Sequence, residues 1–143
     1  MKLHDKKPSF EGKMNWLQVE DVKEKPEKRL TLIQFWSLSC MLCKKNFKEF
    51  ESLHEQYKDK VEFISIHIPR MAEDNDASAI KACIKEYNFT HSVYNDNELL
   101  LSKSFDNKCV PTFYLFDRDD ELRFYQAGAS NLKMIEARIN RLL

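Results

Sequence analysis

A strand that delivers two cysteines to the start of a helix constrains this chain more than any other stretch. Leu30-Thr31-Leu32-Ile33-Gln34-Phe35-Trp36 is apolar except at Thr31 and Gln34, the pattern of a buried strand. Cys40-Met41-Leu42-Cys43 follows. From Lys44 to Tyr57 the period changes: Phe47, Phe50, Leu53 and Tyr57 recur at helical steps with lysines and glutamates between them, which predicts an amphipathic helix. The cysteines therefore stand where a strand becomes a helix.

That placement has chemical consequences. A thiol at a helix N-terminus faces unsatisfied N–H groups and the positive end of the helix dipole, which favour its thiolate. A fall in thiol pKa from about 8.5 to about 7 raises the thiolate fraction at neutral pH from roughly 3% to roughly 50%. Cys40 is placed to be the nucleophile. Cys43, one turn on, is placed to attack the mixed disulfide formed on Cys40 and release the substrate.

The bulk of the sequence excludes several classes. Its 143 residues suit one domain over 1–143, large enough to fold without disulfide staples. Twenty-three basic residues balance 23 acidic ones, so no global field favours nucleic acid or an anionic membrane. Four cysteines, only two of them close, are not the framework of a small secreted protein. The N-terminus lacks the apolar segment of a signal peptide, and no run of eighteen apolar residues occurs. The expectation is a soluble, cytoplasmic monomer, unless an anchor or signal upstream of Met1 is missing.

The rest of the chain alternates strand and helix. Residues 1–29 are a weakly patterned extension, with a short strand or helical turn within Met14 to Val22 and a solvated charge run from Asp21 to Arg29. Val61 to Ile68 alternates like a strand and ends at Pro69. A helix from about Ala77 to Tyr87, capped from Asp74 to Asp76, has Ile80, Cys83, Ile84 and Tyr87 on one face. A strand near Ser92 to Asn95 and a helix near Glu98 to Phe105 add one more βα unit. Cys109 to Asp117 feeds a strand that returns over Leu122 to Gln126 as a hairpin, and Ser130 is positioned to cap a final helix striped by Leu132, Ile135, Ile139 and Leu142. The class is α/β, a mixed sheet covered by helices on both faces.

Phe35-Trp36 before Cys-X-X-Cys, Val110-Pro111-Thr112 before a strand, and the late Gly128 give the chain a resemblance to the thioredoxin superfamily over most of its length. The extra βα unit between the Cys-X-X-Cys helix and the Pro111 strand resembles the TlpA/ResA branch. Within it, Trp36-Ser37, Ser39-Cys40, Leu42-Cys43-Lys44, the His67 to Arg70 stretch and Gln126-Ala127-Gly128 are similar to soluble oxidoreductases of the YkuV type. The resemblance implies a thiol-disulfide oxidoreductase without a cofactor, acting on disulfide-containing proteins and recharged by a thiol or reductase donor. It implies a cis-proline at Pro111, backbone groups of Val110 offered to a substrate strand, and Trp36 packed under the active-site loop. Two family acids are replaced: Gln34 stands where thioredoxins bury one, and Asn46 where the ResA branch has another. The Met41-Leu42 pair implies a potential nearer about −270 mV than about −120 mV.

The same residues admit rival readings. Cys83 and Cys109 could join the pair around zinc, but structural zinc ordinarily uses two close pairs. Haem attachment requires histidine where Lys44 stands. A thiol peroxidase is the enzymatic alternative, with Ser37 three residues before Cys40, although Ile33 occupies that class's proline position. A redox-inactive binding module is the other. Cys109 has an ordinary reading as a small, partly buried residue, and a second one as the acceptor of a regulatory disulfide. His4, His54, His67 and His91 show no ligand spacing; His67 reads as an ordinary strand-end residue near the cysteine edge of the sheet, with a second reading as a group that shifts a thiol pKa, and Glu73 to Asp76 reads as a capped loop.

Overall fold

The computed structural model describes residues 1–21, 28–128 and 130–143. Most of the charge run from Asp21 to Arg29 lies outside them. The elements in order are β1 (Trp16–Gln18), β2 (Leu30–Trp36), α1 (Met41–Tyr57), β3 (Val61–His67), a 3-10 turn (Ala72–Asn75), α2 (Ala77–Glu86), β4 (Ser92–Asn95), α3 (Leu100–Ser104), β5 (Thr112–Phe116), β6 (Leu122–Ala127) and α4 (Lys133–Leu142).

All seven residues of β2 are buried because it lies near the middle of a six-stranded sheet ordered β1-β4-β3-β2-β5-β6. Helical crossovers join β2 to β3 and β3 to β4, and those pairs are parallel; β5 and β6 are joined by a tight turn and run antiparallel. β5 also lies antiparallel to β2, bringing Thr112 beside Phe35. Leu30 and Leu32 of β2 face Phe50 and Leu53 of α1 and Ile135 and Ile139 of α4. Ile33 and Phe35 face the other way, onto Leu101 of α3 and Phe105 just after it.

That second face is closed differently from the sequence reading. α3 has five residues, too few to cover it, and the N-terminal segment does the rest. Met1, Phe10 and Trp16 pack on this face, with Trp16 edge-on to Tyr94 at 5.1 Å, and β1 adds an antiparallel edge to β4. Three residues are too short to display a period, which is why the extension looked unpatterned.

The start of α4 also differs. Leu132 occupies the cap position without a side-chain bond; its N–H donates to Glu49 of α1 at 3.0 Å, and Asn131 accepts from Lys133 N–H. A carboxylate from a distant helix supplies the acceptor expected of Ser130. No helix among the described residues is long and apolar enough to cross a membrane.

Candidate active site

Trp36 and His67 are register partners at the ends of the parallel strands β2 and β3. The chain leaves the sheet here in two loops, 37–40 and 68–75. A third, 107–111, arrives beside them because β5 starts next to Phe35. Val110 packs both on the cluster that holds Trp36, Cys40 and Cys43 and on the one that holds Ile68. The Val110–Pro111 bond is cis, and the Pro111 carbonyl accepts from Gly128 N–H at 2.7 Å. Gly128 has φ +67, a left-handed conformation that glycine adopts without strain.

Cys40 is the N-cap of α1, with extended backbone, and its Sγ accepts from Cys43 N–H at 3.1 Å. Sulfur thus takes the position that a serine or aspartate oxygen fills in other helices. The two cysteines form a disulfide with Cα atoms 5.3 Å apart. Cys43 lies inside the first helical turn, because α1 begins at Met41 and not at Lys44. The apolar stripe starts late since Met41 and Leu42 point outward, 69% and 41% exposed. Trp36 is fully buried, edge-on to Phe47 and His67.

Segment 67–74 clamps the loop before Cys40. His67 Nε2 accepts from Leu38 N–H at 3.1 Å, which places the proton of the neutral ring on Nδ1. Burial pushes this imidazole down to about 4, against a weaker opposing pull from Asp74 and Asn95. Asp74 is buried and accepts from Ser39 Oγ at 2.8 Å, Arg70 N–H at 2.9 Å and Met71 N–H at 3.3 Å. Burial alone would raise its pKa, but these donors hold the carboxyl below its ordinary value. Ser37 donates to the Ile68 carbonyl, so the hydroxyl on which the peroxidase alternative rests is committed to the fold.

A second polar group of residues runs beneath α1. Gln34 Nε2 donates to Ser65 Oγ at 2.7 Å, Ser65 bonds His91 Nε2, and His91 Nδ1 bonds Glu51. Glu51 also accepts from Thr90 N–H and Oγ, both at 2.9 Å. Burial pushes His91 down, with Glu51 opposing, whereas His54 between Glu20 and Glu51 is raised despite its burial. Two of the four scattered histidines therefore converge, with ligand atoms of Glu51, His54 and His91 within 4.8 Å of one another. The Glu51 oxygens are already supplied with N–H and O–H donors, and the arrangement reads as an anchor of α1 on the start of β4.

Cys83 is buried in the cluster that includes Cys40 and Cys43, and burial raises its thiol pKa. Cys109 is exposed, not partly buried, with Sγ 3.4 Å from Thr112 Oγ1. From sequence His67 reads as a strand-end residue near the cysteine edge, while Arg70 and Asp74 carry no site role of their own there. Asp76 does cap α2, and the same short acidic run hid an inward-facing Asp74. A half-polar run after a strand with a proline stop was the available signal.

A mixed sheet with a helix-capping Cys-X-X-Cys disulfide beside a cis X-Pro bond defines a thioredoxin-fold protein with a dithiol-disulfide centre. The chain belongs to the thioredoxin-like family, whose profile matches residues 28–122. It is 37% identical to the thiol-disulfide oxidoreductase YkuV of Bacillus subtilis, over all of this chain and 97% of that protein. The solution structure of a thioredoxin-like protein in the oxidised form superposes with a TM-score of 0.87 at 36% identity, covering 99% of this chain and 97% of the other. StoA from Bacillus subtilis shares the fold, with a TM-score of 0.71 at 20% identity over 87% of this chain and 92% of its own.

Proposed function

We propose that this thiol-disulfide oxidoreductase reduces protein disulfides, with Cys40 as the attacking thiol and Cys43 as the resolving one. The observation that carries the reading is the Cys43 N–H donated to Cys40 Sγ at the N-cap of α1, a contact that favours a thiolate at that sulfur. The Cys40 thiolate attacks one sulfur of the substrate disulfide; a Cys40–substrate bond forms and the other substrate sulfur leaves as a thiol. Cys43, deprotonated, then attacks Cys40 Sγ, and the second substrate sulfur leaves. Two electrons pass to the substrate and the Cys40–Cys43 disulfide remains. A donor dithiol reduces that disulfide back to the Cys40/Cys43 dithiol by the same two exchanges in reverse and is itself oxidised.

Val110 and cis-Pro111 would receive an extended substrate segment through the backbone, and Trp36 would support the loop from below. We assign the protein to the cytoplasm as a monomer, where reduced thiols prevail and an exposed Cys109 persists as a thiol. The test is insulin reduction with dithiothreitol or a thioredoxin reductase as donor, together with the Cys40–Cys43 potential from glutathione equilibration. Turnover abolished by Cys40→Ser, with a potential near or below about −250 mV, is the expected result. A potential above about −180 mV would make the protein an oxidant or isomerase and overturn the direction.

A further inference from the structure

Beside the disulfide stands a cation with an unused hydrogen-bonding edge. Arg70 is exposed, yet it is held at two points: its backbone N–H donates to Asp74 Oδ2 at 2.9 Å, and its Nε donates to Ser39 Oγ at 3.2 Å. Ser39 immediately precedes Cys40, so the guanidinium is fixed one residue from the N-cap sulfur. Nε is taken by this bond, and the Nη edge pairs with no carboxylate among the described residues. Other arginines are used within the fold: Arg29 bonds Glu20, Arg123 bonds Asp117, and Arg138 covers Phe124. A guanidinium anchored through Nε presents its two remaining nitrogens as a fork matched to a carboxylate.

The surroundings fit a peptide. Met71, next to Arg70, and Met41 and Leu42, next to Cys40, are 51%, 69% and 41% exposed. Flexible apolar side chains of this kind adapt to varied partners and exclude water from a neighbouring ion pair. Lys44 and Lys45 follow the disulfide on α1 and add positive charge on the same helix end.

We propose that Arg70 is a specificity-determining residue, pairing through its Nη edge with the carboxylate of an acidic residue beside the disulfide of a protein substrate. The assignment rests on the reading of Cys40 and Cys43 as the exchanging pair. Asp74 and Ser39 set the position of the fork, and the apolar rim holds the peptide across it.

The test uses the full chain and disulfide-linked peptides identical except for Glu, Gln or Lys next to the cysteine. The wild-type protein should favour Glu over Gln by about two- to fivefold in kcat/KM at low salt, the range of an exposed ion pair, with the preference shrinking at high salt. Arg70→Gln should erase the preference, and Arg70→Glu should reverse it toward the Lys peptide. If Arg70→Gln slows all three peptides equally and keeps the wild-type ratio, Arg70 is a loop clamp and the proposal fails. Insulin reduction by the same preparations reports the exchange itself. A wild type that reduces insulin but does not discriminate among the three peptides overturns the role of Arg70 alone, while a wild type inert toward insulin and peptides overturns both readings.

Discussion

Ser39 donates its hydroxyl proton to Asp74 across 2.8 Å, joining the residue before Cys40 to a carboxylate 35 positions away. The same oxygen accepts from the backbone N–H of Arg70 and Met71, so one buried acid organises two of the three loops at the disulfide.

Asp74→Ala removes an acceptor shared by three donors, taking the carboxylate partner from the Ser39 hydroxyl and the Arg70 and Met71 N–H groups. A loss of about 1–3 kcal/mol in urea unfolding is expected. The loop before Cys40 should loosen as well, seen as faster alkylation of the reduced protein. Unchanged alkylation would show that Ser39 is held by other contacts.

His67 makes stability depend on pH. Its folded pKa, about 4, lies below the unfolded value of about 6.5, so below pH 6.5 the unfolded chain takes up a proton that the native one refuses. Stability should fall with falling pH through this window, by about 3 kcal/mol in total at the acid end. Urea midpoints from pH 7 to pH 4 should drop more steeply in the wild type than in His67→Gln; parallel curves would refute the assignment.

Cys43→Ser keeps the attacking sulfur and removes the resolving one. Incubated with a disulfide substrate, the variant should accumulate a covalent adduct on Cys40, released by dithiothreitol and visible by intact mass. An adduct on Cys109 instead would reassign the nucleophile.

Ser65→Ala cuts the bond from Gln34 and strands the His91 Nε2 acceptor, both fully inside the protein. About 1–3 kcal/mol of stability should be lost. Adding Gln34→Leu should cost less than the two single losses summed, because the pair shares one interaction. Simple additivity in a double-mutant cycle would show the two to be independent.

What the chain's own pattern determined is what local physics writes into adjacent residues. An apolar run broken only at Thr31 and Gln34 reads as an interior strand, the three-and-four spacing of Phe47, Phe50, Leu53 and Tyr57 buries one face as a helix, and the Cys-X-X-Cys between them falls at the helix start. The hairpin after Pro111 and the position of β4 follow from the same periods. Tertiary structure alone decided which polar side chains serve the site. Asp74 and Asp76 are alike in sequence, yet one turns inward to Ser39 while the other caps α2. Glu49 stands in for a cap that Ser130 could have supplied, and Gln34, Ser65, His91 and Glu51 meet from four separate segments. Hydrogen bonds between groups this far apart in the chain have no period, because their geometry exists only after the sheet has brought the loops together.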